Sequence, residues 1–236
     1  MNNYDYSAQW AEREAGRNGC VLDYGCGAGH VIALLRSRGV NARGCDVFFE
    51  GGEYSANLVP AAKPFIVRME GDRIPFDDAS FDVVISNQVI EHVPDLNVAA
   101  GEIARVLKPG GASLHLFPDR GVWTEPHSNV PFLHRFRKGA GWRLYHVALM
   151  RALRYGRRAS PLLETSRRRI EWVDRWTYFR SAREISACFA RYFPHIEHIE
   201  DSLFDARVGI AGVPRALKRW LVRKLAGSVL LLRLRE

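Results

Sequence analysis

The segment VLDYGCGAGH, residues 21–30, decides how this chain is expected to fold. Residues 20–24 form a short and mostly apolar run, which predicts a buried β-strand. The glycine-rich residues 25–29 predict a tight turn, and residues 31–37 place apolar side chains on one face of a helix that stops at Gly39. A strand, a glycine turn and a helix in this order create a ligand-binding site at the carboxyl edge of a sheet.

The same alternation of apolar strands and amphipathic helices continues to residue 117. The pattern predicts a first helix at 4–17, strands at 40–47, 65–69, 81–86 and 112–117, and a helix at 96–107 that stops before Pro109. Strands that alternate with helices indicate a parallel sheet covered by helices on both faces. Strands that are apolar over most of their length fit a sheet buried on both sides.

The second half of the chain interrupts this alternation. The pattern predicts an Arg-, Trp- and His-rich insertion, then a helix at 182–191, a sixth strand at 196–199, a basic amphipathic helix at 213–226 and a last strand at 228–235. With 236 residues, 47% of them hydrophobic, the chain is interpreted as one domain, 1–236. Its predicted parts are a ligand-binding core at 1–118, an insertion at 119–180 that is expected to supply a second binding pocket, and a C-terminal completion of the sheet at 181–236.

Two carboxylates distinguish this glycine turn from a dinucleotide site. The glycines follow the pattern G-x-G-x-G, and His30 stands where the third glycine of G-x-G-x-x-G would be. Asp23, two residues before the first glycine, would repel a pyrophosphate but suits an ammonium group. Asp46 is an ordinary strand-end residue when taken alone. Beside the glycine turn, however, it is expected to accept hydrogen bonds from both hydroxyls of a ribose.

Four motifs in this order resemble those of class I S-adenosylmethionine-dependent methyltransferases of the small stand-alone type. They are VLDYGCGAGH at 21–30, GCDVF at 44–48, EGDRIPFDDASFDVVISNQVIEHVPD at 70–95 and RVLKPGGASLHLF at 105–117. The resemblance covers about half of the chain. It implies an α/β fold, a Rossmann-like, doubly wound and mostly parallel seven-stranded sheet, here with a helical insertion between the fifth and sixth strands. It also implies S-adenosyl-L-methionine as the cofactor.

The resemblance implies a role for each residue that matches a motif. Asp23 and the turn of Gly25, Cys26, Gly27 and Gly29 would hold the methionine part of the cofactor. Asp46 would bind the ribose while Val47 packs on the adenine; Asp72 would accept from the adenine amino group beside the backbone of Arg73. Asn87 and Gln88 would lie next to the sulfonium. His92, with Glu91, matches the E-H pair that follows the fourth strand, and it is either a site residue or a packing residue.

The candidate catalytic residues lie in the segment WTEPH, residues 123–127, after the fifth strand. His127 has an ordinary pKa of about 6.5, suited to a general base, and Glu125 could orient its ring. The alternative is a structural histidine held by hydrogen bonds in a proline-containing loop. No metal-ligand spacing is visible in the sequence, so no metal site is predicted. The cysteines are expected to be free thiols: Cys20, Cys26, Cys45 and Cys188.

The charge of the chain is unevenly distributed along its length. Residues 1–118 carry 10 Lys and Arg against 15 Asp and Glu, whereas residues 119–236 carry 24 against 11. The basic second half is interpreted first as the solvated face of a helix packed on the sheet. A second interpretation is peripheral contact with an anionic membrane or a lipid-linked substrate. Nucleic acid ranks last, because the sequence contains no known RNA-binding module.

The predicted function is methyl transfer to a small-molecule acceptor, such as a sugar or a lipid-linked metabolite. The alternatives are a non-catalytic cofactor-binding module, an RNA methyltransferase and a nicotinamide oxidoreductase, the last disfavoured by His30. No apolar stretch reaches 18 residues and the N-terminus lacks an apolar signal-peptide core, so a cytoplasmic protein is expected. The sequence leaves the acceptor and the oligomeric state open.

Overall fold

A computed structural model describes residues 1–49, 56–155 and 162–235 of the chain. The strands are β1 Cys20–Tyr24, β2 Asn41–Asp46, β3 Ile66–Arg68, β4 Phe81–Asn87, β5 Leu107–Phe117, β6 Thr124–Glu125, β7 Val130–Pro131, β8 His195–His198 and β9 Ser228–Arg233. The helices are α1 Asn3–Ala15, α2 His30–Ser37, α3 Leu96–Val106, α4 Trp142–Tyr155, α5 Leu162–Trp176, α6 Ala182–Phe189, α7 Glu200–Val208 and α8 Arg215–Leu225. Residues 156–161 of the predicted insertion lie outside the described residues.

Seven strands form one sheet in the order β3-β2-β1-β4-β5-β9-β8. All neighbours in the first five positions are parallel, while β9 runs antiparallel to both β5 and β8. The last strand of the chain is thus inserted into the sheet, as the apolar run at 228–235 predicts. The strand order reverses between β1 and β4, and ligands bind at such a switch point outside the carboxyl ends of the strands.

Helices bury their apolar sides on both faces of the sheet, which confirms the doubly wound α/β prediction. On one face, α3 and α6 contribute Ala99, Ile103 and Phe189 to the core. On the other face, α1, α2, α7 and α8 pack against the same strands. Local signals fix where two of these helices begin. Asp95 accepts two backbone N–H groups at the start of α3, and Ser181 opens α6 with a capping box.

Three local features differ from the sequence-based expectation. Strand β5 begins at Leu107 rather than at residue 112, because the Pro109–Gly111 segment forms an irregularity inside the strand instead of ending the element. The insertion contains a small hairpin, β6–β7, in front of helices α4 and α5. Helix α7 was not predicted, since its residues carry almost no amphipathic pattern.

The predicted basic helix is present as α8, but its charges are not simply solvated. Val222 is buried against the sheet, and the basic side chains face acidic groups on α7 and β8. The ion pairs join Arg215 and Arg219 to Asp201 and Glu197, Lys218 to Asp205, and Arg223 to Glu200. This pairing reduces the charge that the helix could offer to an anionic surface. Within the described ranges, no helix combines the length and the hydropathy needed to cross a membrane.

A buried histidine in β5 makes stability depend on pH. Ser113 donates its hydroxyl proton to the Val84 carbonyl and can therefore accept from His115 Nε2, at 2.7 Å. His115 Nδ1 then accepts from the Ser86 hydroxyl, also at 2.7 Å. Burial lowers the pKa of His115 to about 3, so the folded protein holds this ring neutral.

Unfolded chains regain the ordinary histidine pKa and take up the proton. The contribution of His115 to the free energy of unfolding is therefore fully present above pH 6.5. As the pH is lowered from 6.5 to 3, we expect the free energy of unfolding to fall by about 1.4 kcal/mol per pH unit. Urea unfolding at pH 7.5, 6.0 and 5.0 measures this slope. The His115→Asn variant should lose that part of the slope, whereas His195→Asn, at an exposed position of β8, should keep it. Equal slopes in the two variants would contradict the prediction.

Candidate active site

The glycine turn after β1 leaves almost no room for side chains. Gly25 and Gly29 both have positive φ angles, of 71° and 82°, which favour glycine. A Cβ on Gly25 would lie 2.5 Å from a methyl group of Val89, and one on Gly29 would lie 2.7 Å from the Cβ of Ala62. The turn is therefore packed against the segment that follows β4. It also points the free backbone N–H groups of the α2 N-terminus toward the carboxyl edge of the sheet.

Two carboxylates flank this turn at the ends of adjacent strands. Asp46 accepts the backbone N–H of Gly27 at 2.8 Å with one oxygen and that of Phe48 at 2.7 Å with the other. Asp23 is buried, and burial together with the negative charge of Asp46 raises the pKa of Asp23 to about 8. Burial and like charge both disfavour the ionised form, and a positively charged ligand beside Asp23 would offset both effects by favouring the carboxylate.

The other residues expected to bind the cofactor lie along the same edge. Val47, directly after β2, is exposed, and so are Asp72 and Arg73 in the loop after β3. Asn87 ends β4, and its side-chain oxygen is buried with no hydrogen-bond partner in the part of the chain that the structure describes. Gln88 has a φ of 60°, a conformation that residues other than glycine adopt rarely and often at functional sites.

The structure brings His127 next to Glu125 and His92. Glu125 is fully buried, and one of its oxygens lies 2.6 Å from His127 Nδ1. The same carboxylate accepts the backbone N–H groups of His127 and Ser128 and the Ser128 hydroxyl. Burial acts to raise the pKa of Glu125, but the hydrogen bonds from His127 and Ser128 hold it below its ordinary value. An ionised Glu125 therefore fixes the orientation of the His127 ring.

His92 meets the same ring from the opposite side. It closes a short helical turn, Ile90–His92, and its Nδ1 lies 2.6 Å from the carbonyl oxygen of Trp176 at the end of α5. Its Nε2 lies 3.1 Å from the Nε2 of His127. Burial lowers the pKa of His92 to about 4, so this ring is neutral at physiological pH.

Sequence reasoning missed two features of this cluster. Glu91 is 2% exposed, and neither of its carboxylate oxygens has a hydrogen-bond partner among the described residues. Burial raises the pKa of Glu91 to about 8. The second feature is an aromatic wall around the two histidines, formed by Phe49, Trp172, Trp176 and Phe179. For Glu91, the sequence signal was the E-H pair after β4. For the aromatic wall, it was the two tryptophans that lie four residues apart on α5.

A cavity of about 320 Å³ lies within the insertion, next to this cluster. Phe179 lines it and also lies against His127 and His134. Its wall combines basic and aromatic side chains with one acidic group and two smaller residues: Arg120, His134, Phe136, Lys138, Arg143, Val173, Asp174, Thr177, Tyr178, Phe179 and Arg180. The predicted insertion thus contains a space for a small molecule beside the candidate catalytic residues.

Comparisons with known proteins agree with this fold. Residues 22–114 match the family model described as "Methyltransferase domain". The chain is 30% identical over 192 residues to an uncharacterized methyltransferase of Mycolicibacterium paratuberculosis, covering 80% of this chain and 71% of the relative. It is 33% identical to the sterol 4-C-methyltransferase strm-1 of Caenorhabditis elegans, but over only 42% of this chain and 30% of that protein.

Solved structures give the same architecture. The geranyl diphosphate C-methyltransferase of Streptomyces coelicolor A3(2), in complex with Mg²⁺, geranyl diphosphate and S-adenosyl-L-homocysteine, aligns with a TM-score of 0.52. That alignment covers 98% of this chain and 77% of the other, at 17% identity, and so it shows a shared fold. With the methyltransferase relative matched over most of its length, the chain belongs to the class I S-adenosylmethionine-dependent methyltransferases, whose cofactor is S-adenosyl-L-methionine.

Proposed function

We propose that this chain transfers the methyl group of S-adenosylmethionine to a small-molecule acceptor held under the insertion. In this in-line displacement the acceptor atom bonds to the methyl carbon while the carbon–sulfur bond breaks. The sulfur keeps the electron pair and S-adenosylhomocysteine leaves. Holding the two reactants in line can supply about 7–11 kcal/mol of the barrier. The observation that carries the proposal is the packing of the Val89 side chain against Gly25. Through this contact the glycine turn, which is the proposed cofactor site, lies next to the segment that leads to His92 and the candidate catalytic residues.

The carboxylates along the edge of the sheet support a specific binding mode for the cofactor. Asp23 would hold the ammonium group of the methionine part and Asp46 the two ribose hydroxyls. Val47 would pack on the adenine, and Asp72, beside the Arg73 backbone, would accept from its amino group. Asn87 and Gln88, at the end of β4, would lie beside the sulfonium, where the unpartnered oxygen of Asn87 favours positive charge.

Glu125 and His127 would remove the proton that an acceptor hydroxyl or amine loses during transfer. Glu125 is ionised and accepts a hydrogen bond from the Nδ1–H of His127, which leaves Nε2 unprotonated and able to act as a base. A positioned general base contributes about 10²–10⁴-fold to a reaction rate. Nε2 is the nitrogen on the side of His92 and the aromatic wall, and so the acceptor would approach from that side.

The lining of the insertion cavity supports an acceptor with both an anionic and an apolar part. The one acidic group of the wall, Asp174, is paired with Arg143. Arg120, Lys138 and Arg180 therefore give the cavity a positive balance that favours negative charge, while Phe136 and Phe179 offer apolar surface. A lipid-linked acceptor is supported further by an exposed apolar stripe on α4. Tyr145, Leu149 and Leu153 recur every four residues there and are 71%, 55% and 73% exposed. A water-soluble acceptor would not need that stripe.

Two measurements test the proposal in order. Calorimetry with S-adenosylhomocysteine should show binding, while NAD should show none. The protein is then incubated with methyl-labelled S-adenosylmethionine and a cell extract divided into aqueous, lipid and RNA fractions. Label in a low-mass compound of the aqueous or lipid fraction is expected. Label in the RNA fraction would show that the acceptor is RNA and not a small molecule. Binding of S-adenosylhomocysteine without any methyl transfer would indicate a non-catalytic module.

A further inference from the structure

Three metal-binding side chains meet where the insertion covers the end of β4. Glu91, His92 and His127 each offer one donor atom, and the three atoms all lie within 4.8 Å of one another. They come from two distant parts of the chain, the turn after β4 and the loop between β6 and β7. The cluster is buried or half-buried, whereas acidic groups that gather by chance usually lie on the surface.

The hydrogen bonds of the two rings fix which nitrogen carries the proton. The carbonyl oxygen of Trp176 can only accept, so the Nδ1 of His92 must donate to it. The ionised Glu125 carboxylate can likewise only accept, so the Nδ1 of His127 donates to it. When neither ring carries a second proton, Nε2 is unprotonated in both, and the two Nε2 atoms lie 3.1 Å apart. Two facing lone pairs at that distance repel each other unless a shared proton or a metal ion lies between them.

Glu91 gives an independent indication of the same kind. Glu91 is only 2% exposed, and neither oxygen of its carboxylate has a hydrogen-bond partner in the described parts of the chain. Tyr178 donates its backbone N–H to the Glu91 carbonyl, so the insertion covers this residue directly. A buried and unpartnered carboxylate is costly unless a cation or a proton neutralises it.

We propose that Glu91, His92 and His127 bind a divalent transition-metal ion of the zinc or manganese type. Two imidazoles and one carboxylate suit such ions better than Mg²⁺ or Ca²⁺, which prefer oxygen ligands. An ion about 2.1 Å from both Nε2 atoms would make an N–metal–N angle of about 95°, within the range of such sites. Glu125 and the Trp176 carbonyl then act as outer partners that hold each ring in its metal-binding tautomer.

The role of this ion in catalysis rests on the proposed function. Three protein ligands leave coordination positions open, and an acceptor oxygen at one of them would lose its proton more readily. The proton goes to water, the oxygen bonds to the methyl carbon, and the sulfur keeps the electrons of the broken bond. His127 is then a metal ligand rather than a free base. Phe49, Trp172 and Trp176 border the site and would restrict the access of water to it.

Metal titration in the absence of any cofactor tests the site by itself. The purified protein is freed of metal with a chelator, and Zn²⁺ binding is followed by calorimetry and Mn²⁺ binding by electron paramagnetic resonance. One ion per chain is expected. Glu125→Gln should weaken binding by about 10- to 100-fold, and Glu91→Gln and His127→Asn should weaken it further. His195→Asn, on exposed β8, should bind like the wild type.

A separate titration with S-adenosylhomocysteine keeps the two proposals distinguishable. Each variant that loses metal should still bind this ligand and unfold cooperatively, which shows that its fold is intact. If wild type and Glu91→Gln bind Zn²⁺ and Mn²⁺ equally, the metal site is wrong whatever the cofactor titration gives. If metal binds as expected but S-adenosylhomocysteine does not, the metal site stands and the proposed function fails.

Discussion

Replacing Asp46 by Ala is expected to weaken S-adenosylhomocysteine binding by about a hundredfold or more. The variant would lose the two hydrogen bonds proposed between ribose hydroxyls and this carboxylate, each worth about 1.5–3 kcal/mol. A change of about 1.4 kcal/mol corresponds to a factor of ten. It also loses the acceptor of the Gly27 and Phe48 N–H groups, so the turn itself is held less firmly. Calorimetric titration of wild type and variant measures the difference directly.

Two further variants separate these causes. Asp46→Asn keeps one oxygen but no charge, and it should lie between wild type and Asp46→Ala in affinity. Asp77→Ala removes an exposed carboxylate from the loop after β3 and should leave the affinity unchanged. Urea unfolding reports whether a weak binder is still folded. Affinity that is unchanged in a folded Asp46→Ala protein would remove the ribose role from this residue.

The fold of the half that is proposed to bind the cofactor was predictable because its signals are local. Strand β1, the glycine turn and helix α2 follow one another in the sequence, and each has its own pattern of apolar and glycine residues. Asp23 and Asp46 reach one site because parallel neighbouring strands end at the same edge of a sheet. The inserted last strand was also predictable, since the run at 228–235 is apolar enough for a buried strand.

The histidine cluster was not predictable as a unit, because it depends on contacts between distant elements. His92 and His127 are 35 residues apart, and their rings face each other only because the β6–β7 hairpin folds back over the end of β4. The tautomer of His92 depends on the Trp176 carbonyl, 84 residues further along the chain. The burial of Glu91 likewise depends on Tyr178, so its chemistry could not be inferred from the E-H pair alone.

Replacing His127 by Asn is expected to lower kcat by about 10²–10⁴-fold while S-adenosylhomocysteine affinity changes little. Both the base and the metal-ligand role need Nε2 at this position, held by Glu125, and Asn offers no ring nitrogen there. The rate is measured with labelled S-adenosylmethionine and the acceptor identified in the extract. His195→Asn, at an exposed position of β8, is the matched control and should keep the activity.

Chelation then distinguishes the two roles of this residue. If His127 is a ligand, wild-type activity disappears with the metal and returns when Mn²⁺ or Zn²⁺ is added, whereas His127→Asn gains nothing from either ion. If His127 is a free base, chelator leaves the wild type active, and Glu125→Gln is impaired because an amide holds the His127 ring less strongly than a carboxylate does. A His127→Asn protein with the wild-type kcat would exclude both roles and would move the site of proton loss away from this cluster.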